Sequence, residues 1–426
     1  MVNMSKSRSL FFYILYTILL FMYIYRFNLS VIGIPNQIHS RRISSIIIII
    51  IGILNYFRNR DKFHFIRNNT CYAQFKKYCK ICAFITLYAL CLFIYIGKNG
   101  SGVHLVEYML NICIFSIPVT FVLCNIFRDI DEFAKILIYV GILQSVIIIA
   151  CLADASLANV IDITFNDTGE SDYNAAHRFG YAGGIDCITA TGVIKYSTAL
   201  LATVYMYCKY KKPVFLFTFI FFSIINSMIA RTGILFDAIC FLFVLYGGLN
   251  RKVIANFLIP ILLVGGVIYM IVENQNNKQF LNERYQRAIT LREEKTNDKF
   301  FEQYLDGDYP PLSPETFMGV GMISGQSGNG YWVNIDGGPL RVYSSIGIIF
   351  SILFYISIFT ILYKCIKVQI IKSDKLFMYL VAIIYLLGDI KEMTFLNTWP
   401  MSIYFIIAVL LEKKKVHMVF TTCSTK

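Results

Sequence analysis

Long runs of apolar residues alternate along the chain with short polar connections, and the runs are apolar on every side of a helical wheel. A helix needs about 20 mostly apolar residues to cross the hydrocarbon core of a bilayer. By that measure the pattern predicts about twelve membrane-spanning helices. They fall near residues 9–26, 43–57, 81–97, 104–127, 134–152, 188–207, 214–230, 232–248, 253–272, 339–363, 376–389 and 395–411. The second and the last two are short or interrupted. Only the tight corner Arg231-Thr232-Gly233 separates the seventh from the eighth. The predicted fold is an all-α polytopic membrane protein, a single transmembrane domain over residues 1–426, with no internal repeat.

Composition supports lipid as the solvent. The chain is 57% hydrophobic and 15% charged, against about 25% charged residues in soluble domains. The formal net charge of +13 would point to nucleic acid in a soluble protein, yet no nucleic-acid module is visible. In a membrane chain Lys and Arg first report topology, because they gather in short cytoplasmic loops. Basic clusters occur in 58–80, at Lys209/Lys211/Lys212, Arg251/Lys252, Lys364/Lys367/Lys372/Lys375 and Lys413/Lys414/Lys415. With twelve spans and the N-terminus inside, all of them fall in the cytoplasm. Arg41 and Arg42 are the local exception. Lys6 and Arg8 precede an apolar run that no small-residue cleavage site follows, which predicts an uncleaved first span. The twelve cysteines form no disulfide framework, and Cys79 and Cys82 lack the second ligand pair a zinc site needs.

This topology puts two long hydrophilic segments on the outer face, 153–187 and 273–338. Phe280 to Leu305 contains neither Pro nor Gly and has a helical pattern. Arg284, Arg287, Arg292, Lys295 and Lys299 share one face with Phe280, Leu281, Tyr285, Ala288 and Leu291, while Glu283, Glu293 and Glu294 lie opposite. That mixture suits an amphipathic helix at a membrane interface, although a solvated helix packed on the outer spans fits it too.

Charges within or beside a membrane are costly and mark candidate sites. Arg231 stands between two spans and Arg341 at the outer start of the tenth. Lys195 falls about mid-span in the sixth. Glu107 and Asp237 fall within a few turns of the outer face, and Asp389, Lys391 and Glu392 crowd the last outer turn. Each admits a structural reading, as a snorkelling side chain or an ion pair. Together they concentrate on the outer side, which suits a transferase acting on lipid-linked substrates better than a proton-coupled pump. The planar fork of Arg donates paired hydrogen bonds to phosphate. Fixed cations stabilise charge developing on a leaving diphosphate, and a carboxylate can accept the proton of an attacking hydroxyl. Asp336 is the carboxylate nearest Arg341 in sequence. His177 adjoins Arg178 in the first outer segment. No phosphate-binding loop or metal-ligand cluster is visible, and Gly319-Val320-Gly321 is too short for a dinucleotide site. No cofactor or metal is expected.

Several segments resemble O-antigen polymerases (Wzy-type repeat-unit polymerases), which are related to O-antigen ligases. IARTGILFDAICFLFVLYG (229–247) is similar to the family's span-opening segment. The end of the second outer segment resembles its G-x-G, D-x-G-x-x-R and Gly-Ile-Ile pattern, at Gly319, Gly321, Asp336, Gly338, Arg341 and Gly347. GDIKE (388–392) resembles the turn before its last span, and GGIDCITATGVIKYSTALL (183–201) the span after its first large outer loop. Motifs cover roughly the C-terminal half; elsewhere only topology agrees.

The resemblance implies a metal-independent glycosyltransferase of the GT-C kind in the bacterial inner membrane, with both termini cytoplasmic and both long segments periplasmic. It implies transfer of a glycan from undecaprenyl diphosphate onto a new lipid-linked repeat unit. Arg231 and Arg341 would hold diphosphate, and Asp336 would act as base or loop organiser. His177, Arg178, Lys391 and Glu392 would contact glycan or phosphate. Partners would be the lipid bilayer and the flippase and chain-length regulator of the same pathway. The alternatives are a polysaccharide flippase, which needs no outer loop of this length, and an O-antigen ligase. Ligases often carry a His-Asn pair near this loop end; Asn334-Ile335-Asp336 has no His.

Overall fold

A computed structural model describes residues 8–29, 38–58, 69–96, 101–154, 156–157, 160–161, 185–186, 190–246, 317–321 and 337–423. All regular elements among them are helices. In chain order these are α1 (Leu10–Ile24), α2 (Ser40–Arg58), α3 (Thr70–Ile96), α4 (Ser101–Asn111), α5 (Ile117–Ile126), α6 (Ile130–Ala153), α7 (Ala190–Tyr210), α8 (Pro213–Ile229), α9 (Arg231–Tyr246), α10 (Gly338–Ile346), α11 (Ile348–Val368), α12 (Lys372–Lys391) and α13 (Pro400–Cys423). A π-helical turn, Ile112–Ser116, joins α4 to α5. Pro118 follows that turn; its ring lacks an N–H and crowds the carbonyl four residues back, so the helix widens there.

The chain is a helical membrane protein. Five stretches of described helix are long and apolar enough to cross a bilayer: Ser40–Arg58, Thr70–Tyr95, Val103–Ile126, Ile130–Cys151 and Ile348–Val368. Leu10–Ile24, Pro213–Ile229 and Thr232–Tyr246 are shorter apolar helices. This is fewer than the twelve spans expected. The span expected at 253–272 and the amphipathic helix expected from Phe280 lie outside the described residues. Exposed apolar side chains run along α11 at helical spacing, at Ile349, Ile352, Ile356, Phe359 and Tyr363. Such a stripe is at home in lipid rather than water.

The chain divides into two compact units, residues 1–48 with 131–284 and residues 49–130 with 285–426. In the first, α7, α8 and α9 pack on one another. Helix α6 joins them where Gly141 leaves no room for a side chain; a Cβ there would fall 2.4 Å from Ala199 Cβ and 2.8 Å from Phe222 Cζ. Small residues allow such close approach between helices. Ser145 Oγ and Tyr196 OH add a buried hydrogen bond of 2.6 Å. Arg41 donates to Tyr23 O at 2.7 Å and to Ile24 O at 3.0 Å. It thereby satisfies carbonyls at the C-terminus of α1.

In the second unit, α13 is buried from Pro400 to Glu412, as a helix apolar on all sides should be. It packs on α3, α5, α11 and α12, and α3 also packs on α4 and α11. The start of α3 differs from expectation. Residues 70–80, expected in a loop, are helical because Glu412 accepts the N–H of Thr70 at 2.9 Å and of Cys71 at 2.7 Å. Asn69 Oδ1 accepts the N–H of Tyr72 at 2.9 Å. These acceptors satisfy donors that a helix start leaves unpaired. The single span expected at 339–363 is instead two helices, α10 and α11, broken at Gly347.

Candidate functional site

The break at Gly347 organises the candidate site in the second unit. Gly347 has φ 80° and ψ 165°, a conformation nearly closed to other residues. The segment 317–321 lies against this end of α10. Val320 N donates to Ser344 O at 2.8 Å and Gly321 N to Ser345 O at 3.0 Å. Gly319 has φ 90°. A Cβ on Gly319 would fall 2.5 Å from Gly347 N, and one on Gly347 2.3 Å from Phe317 O. Two backbones meet here with no space for a side chain on either. Leu105 N of α4 donates to Gly321 O at 3.2 Å, and Tyr88 OH of α3 donates to Met318 O.

The other end of α10 meets the turn between α12 and α13. Gly338 lies so close that a Cβ would fall 2.5 Å from Asp389 O, 2.8 Å from Asp389 Oδ1 and 2.9 Å from Met393 Cα. Asp389 is 2% exposed. Its Oδ1 accepts from Thr394 N at 2.6 Å and Phe395 N at 3.0 Å, and its Oδ2 from Tyr355 OH of α11 at 2.7 Å. A buried carboxylate needs such donors to offset lost hydration. These bonds shape the turn that carries Glu392.

Arg341 stands one turn along α10 from Gly338. Its Nη1 lies 3.3 Å from Glu392 Oε2, with the side chains 17% and 15% exposed. At that burial the pair is screened less than a surface ion pair. The carbonyl of Arg341 accepts from Ser344 Oγ at 3.0 Å and Ser345 Oγ at 2.5 Å. Lys391 is the last residue of α12 and is half-buried. Residues 388–391, expected in a turn, are the last turn of α12, and Glu392 caps it; with Gly319, Gly321, Gly338, Arg341 and Gly347 they form one continuous structure at α10.

The remaining predicted residues lie elsewhere. Arg231 is the first residue of α9, in the first unit; its backbone is described and its side chain is not. Two turns along, Asp237 Oδ1 accepts from Asn226 Nδ2 of α8 at 2.9 Å. Gly233 packs on α8, where a Cβ would fall 2.3 Å from Asn226 O. Asp336, His177 and Arg178 lie outside the described residues. Lys195, expected mid-span, is in the second turn of α7 because that helix begins at Ala190; its Nζ pairs with Asp186 Oδ2 at 2.5 Å. Tyr355 was not anticipated: an aromatic residue inside an apolar span carries no local signal for a carboxylate 34 positions away. Among the described residues, no three His, Cys, Asp and Glu side chains gather as a metal site.

Chemically, the arrangement offers a partly shielded guanidinium on a short helix held at both ends. A carboxylate occupies part of its fork, and the fork's geometry also suits phosphate oxygens. No protein-family model, curated protein or solved structure matches the chain.

Proposed function

We propose that this protein polymerises polyprenyl-diphosphate-linked oligosaccharide repeat units, as a glycosyltransferase of the O-antigen polymerase type. In this reading it sits in the bacterial inner membrane with about twelve spans, a GT-C-like architecture and both termini in the cytoplasm. The chemistry takes place on the periplasmic side. The observation that carries the proposal is the convergence around α10 of residues singled out by the family resemblance. Gly319 and the 388–392 segment pack at opposite ends of the helix that begins at Gly338, bears Arg341 and is capped by Gly347.

Arg341 binds the donor diphosphate while the prenyl chain stays in lipid. The bond between the anomeric carbon and the diphosphate oxygen breaks, and the leaving diphosphate takes the electron pair. A fixed guanidinium in a partly dry site stabilises that charge more than water does. The acceptor sugar's hydroxyl oxygen forms the new bond and gives up its proton, with Asp336 as the candidate base. Lys391, His177 and Arg178 are candidates for binding phosphate or glycan. Glu392 repels a diphosphate by charge, so its part is to orient Arg341. Arg231, at the head of α9, is a second candidate for phosphate chemistry.

Deletion of the gene followed by a lipopolysaccharide gel tests the proposal. Loss of a polymerase leaves core plus one repeat unit, whereas loss of a ligase or a flippase leaves bare core. Arg341→Ala reproduces the one-unit pattern while the protein still reaches the membrane. A normal long-chain ladder in that variant counts against the assignment. Arg341→Lys and Arg231→Lys are poorly tolerated, because a point charge does not reproduce a planar fork; full activity of both removes the bidentate argument.

A further inference from the structure

Asp389 accepts three hydrogen bonds, and their donors are neither Arg341 nor any group assigned to the reaction above. The donors come from two places. Tyr355 OH reaches it from α11, and the N–H groups of Thr394 and Phe395 come from the turn. Its main chain also forms the surface on which Gly338 rests, with no room for even one methyl group between them. Gly338 begins the helix that carries Arg341, and Glu392 begins the turn that Asp389 ties down. Both halves of the Arg341–Glu392 pair are therefore referenced to a single buried carboxylate.

We propose that Asp389 is the positioning residue of the Arg341 site: by fixing α10 and the 392–395 turn against α11, it sets the guanidinium for capture of a prenyl diphosphate. The inference rests on the diphosphate reading of Arg341. Three features favour Asp389 for this task over Glu392. It is almost fully buried, whereas Glu392 is partly exposed. It bonds to backbone, which side-chain motion cannot relax. It also links α11, the turn and α10 together.

The full-length protein in detergent, with farnesyl diphosphate as probe, tests this. Wild type binds and Arg341→Ala binds weakly; that arm concerns the diphosphate reading alone, and failure of wild type to bind overturns both ideas. Asp389→Ala weakens binding roughly tenfold. Asp389→Asn stays within about threefold of wild type, because its amide oxygen keeps both N–H bonds and its NH2 can donate to the Tyr355 hydroxyl. In the Arg341→Ala background, Asp389→Ala causes little further loss, since a residue acting through Arg341 has nothing left to position. Should Asp389→Ala not fold, Tyr355→Phe removes one bond and gives a smaller loss that likewise vanishes without Arg341. Wild-type affinity in Asp389→Ala, or in Tyr355→Phe when that variant is the one measured, overturns the inference if Arg341→Ala binds weakly. A full independent loss in the double variant also overturns it.

Discussion

Replacing Gly347 with alanine strikes the point where α10 parts from α11. Two costs follow from the local geometry. The backbone there has φ 80° and ψ 165°, which costs a residue with a Cβ about 1–3 kcal/mol. The new methyl would fall 2.3 Å from Phe317 O and 2.6 Å from Met318 C. These are backbone atoms that no rotamer change can move aside. Overpacking of this kind costs a further ~1–3 kcal/mol. The alternative is to part the segment 317–321 from α10. That gives up the Val320–Ser344 and Gly321–Ser345 hydrogen bonds, about 1–3 kcal/mol together. The chain takes whichever route is cheaper, so the expected loss is about 2–6 kcal/mol. At about 2 °C per kcal/mol for a chain of this size, apparent Tm falls on the order of 4–12 °C. Fluorescence-detected size-exclusion of the heated, detergent-solubilised protein measures it. Gly52→Ala is the control: its Cβ would fall 2.3 Å from Val122 Cγ2, but the obstacle is a side chain and the helical backbone favours alanine by about 1 kcal/mol. Gly347→Ala falling no further than Gly52→Ala would refute the argument from backbone conformation and backbone contact.

Other consequences use the same melting assay. Lys195→Met leaves Asp186 without the ion-pair partner now 2.5 Å away and lowers stability by about 1–3 kcal/mol, less than for a fully buried pair because Asp186 is partly solvated. Adding Asp186→Asn recovers most of that loss, and a double variant no better than the single would deny the pairing. Arg41→Leu removes two bonds to the last carbonyls of α1 and costs about 1–2 kcal/mol; an unchanged melting point would leave the capping role without support.

The legible part of this protein is the part that the solvent imposes locally. Lipid cannot satisfy a backbone N–H or C=O, so an apolar run must close its own hydrogen bonds as a helix. Helices α1, α6, α8 and α9 accordingly lie close to the runs that predict them. The tight corner expected at Arg231-Thr232-Gly233 falls at Ala230 instead, and those three residues open α9, with Gly233 packed directly on α8. Boundaries set by distant partners were not legible. Helix α3 starts at Thr70 because Glu412, 342 positions away, caps it. The break at Gly347 reads as mid-span in a hydropathy pattern; only the segment 317–321 lying alongside explains it.

The candidate site divides in the same way. Arg341 and Glu392 each stood out as charges beside apolar runs, because burying charge near lipid is costly wherever the residue lies in the chain. Their pairing across 51 positions and the anchoring of both through Asp389 depend on how α10, α11 and α12 pack. Local sequence determined that this is a helical membrane protein and which charges carry cost, since bilayer energetics act residue by residue. Tertiary structure alone decided which of those charges meet and where glycine must stand between two backbones, because both depend on distances that no stretch of sequence contains.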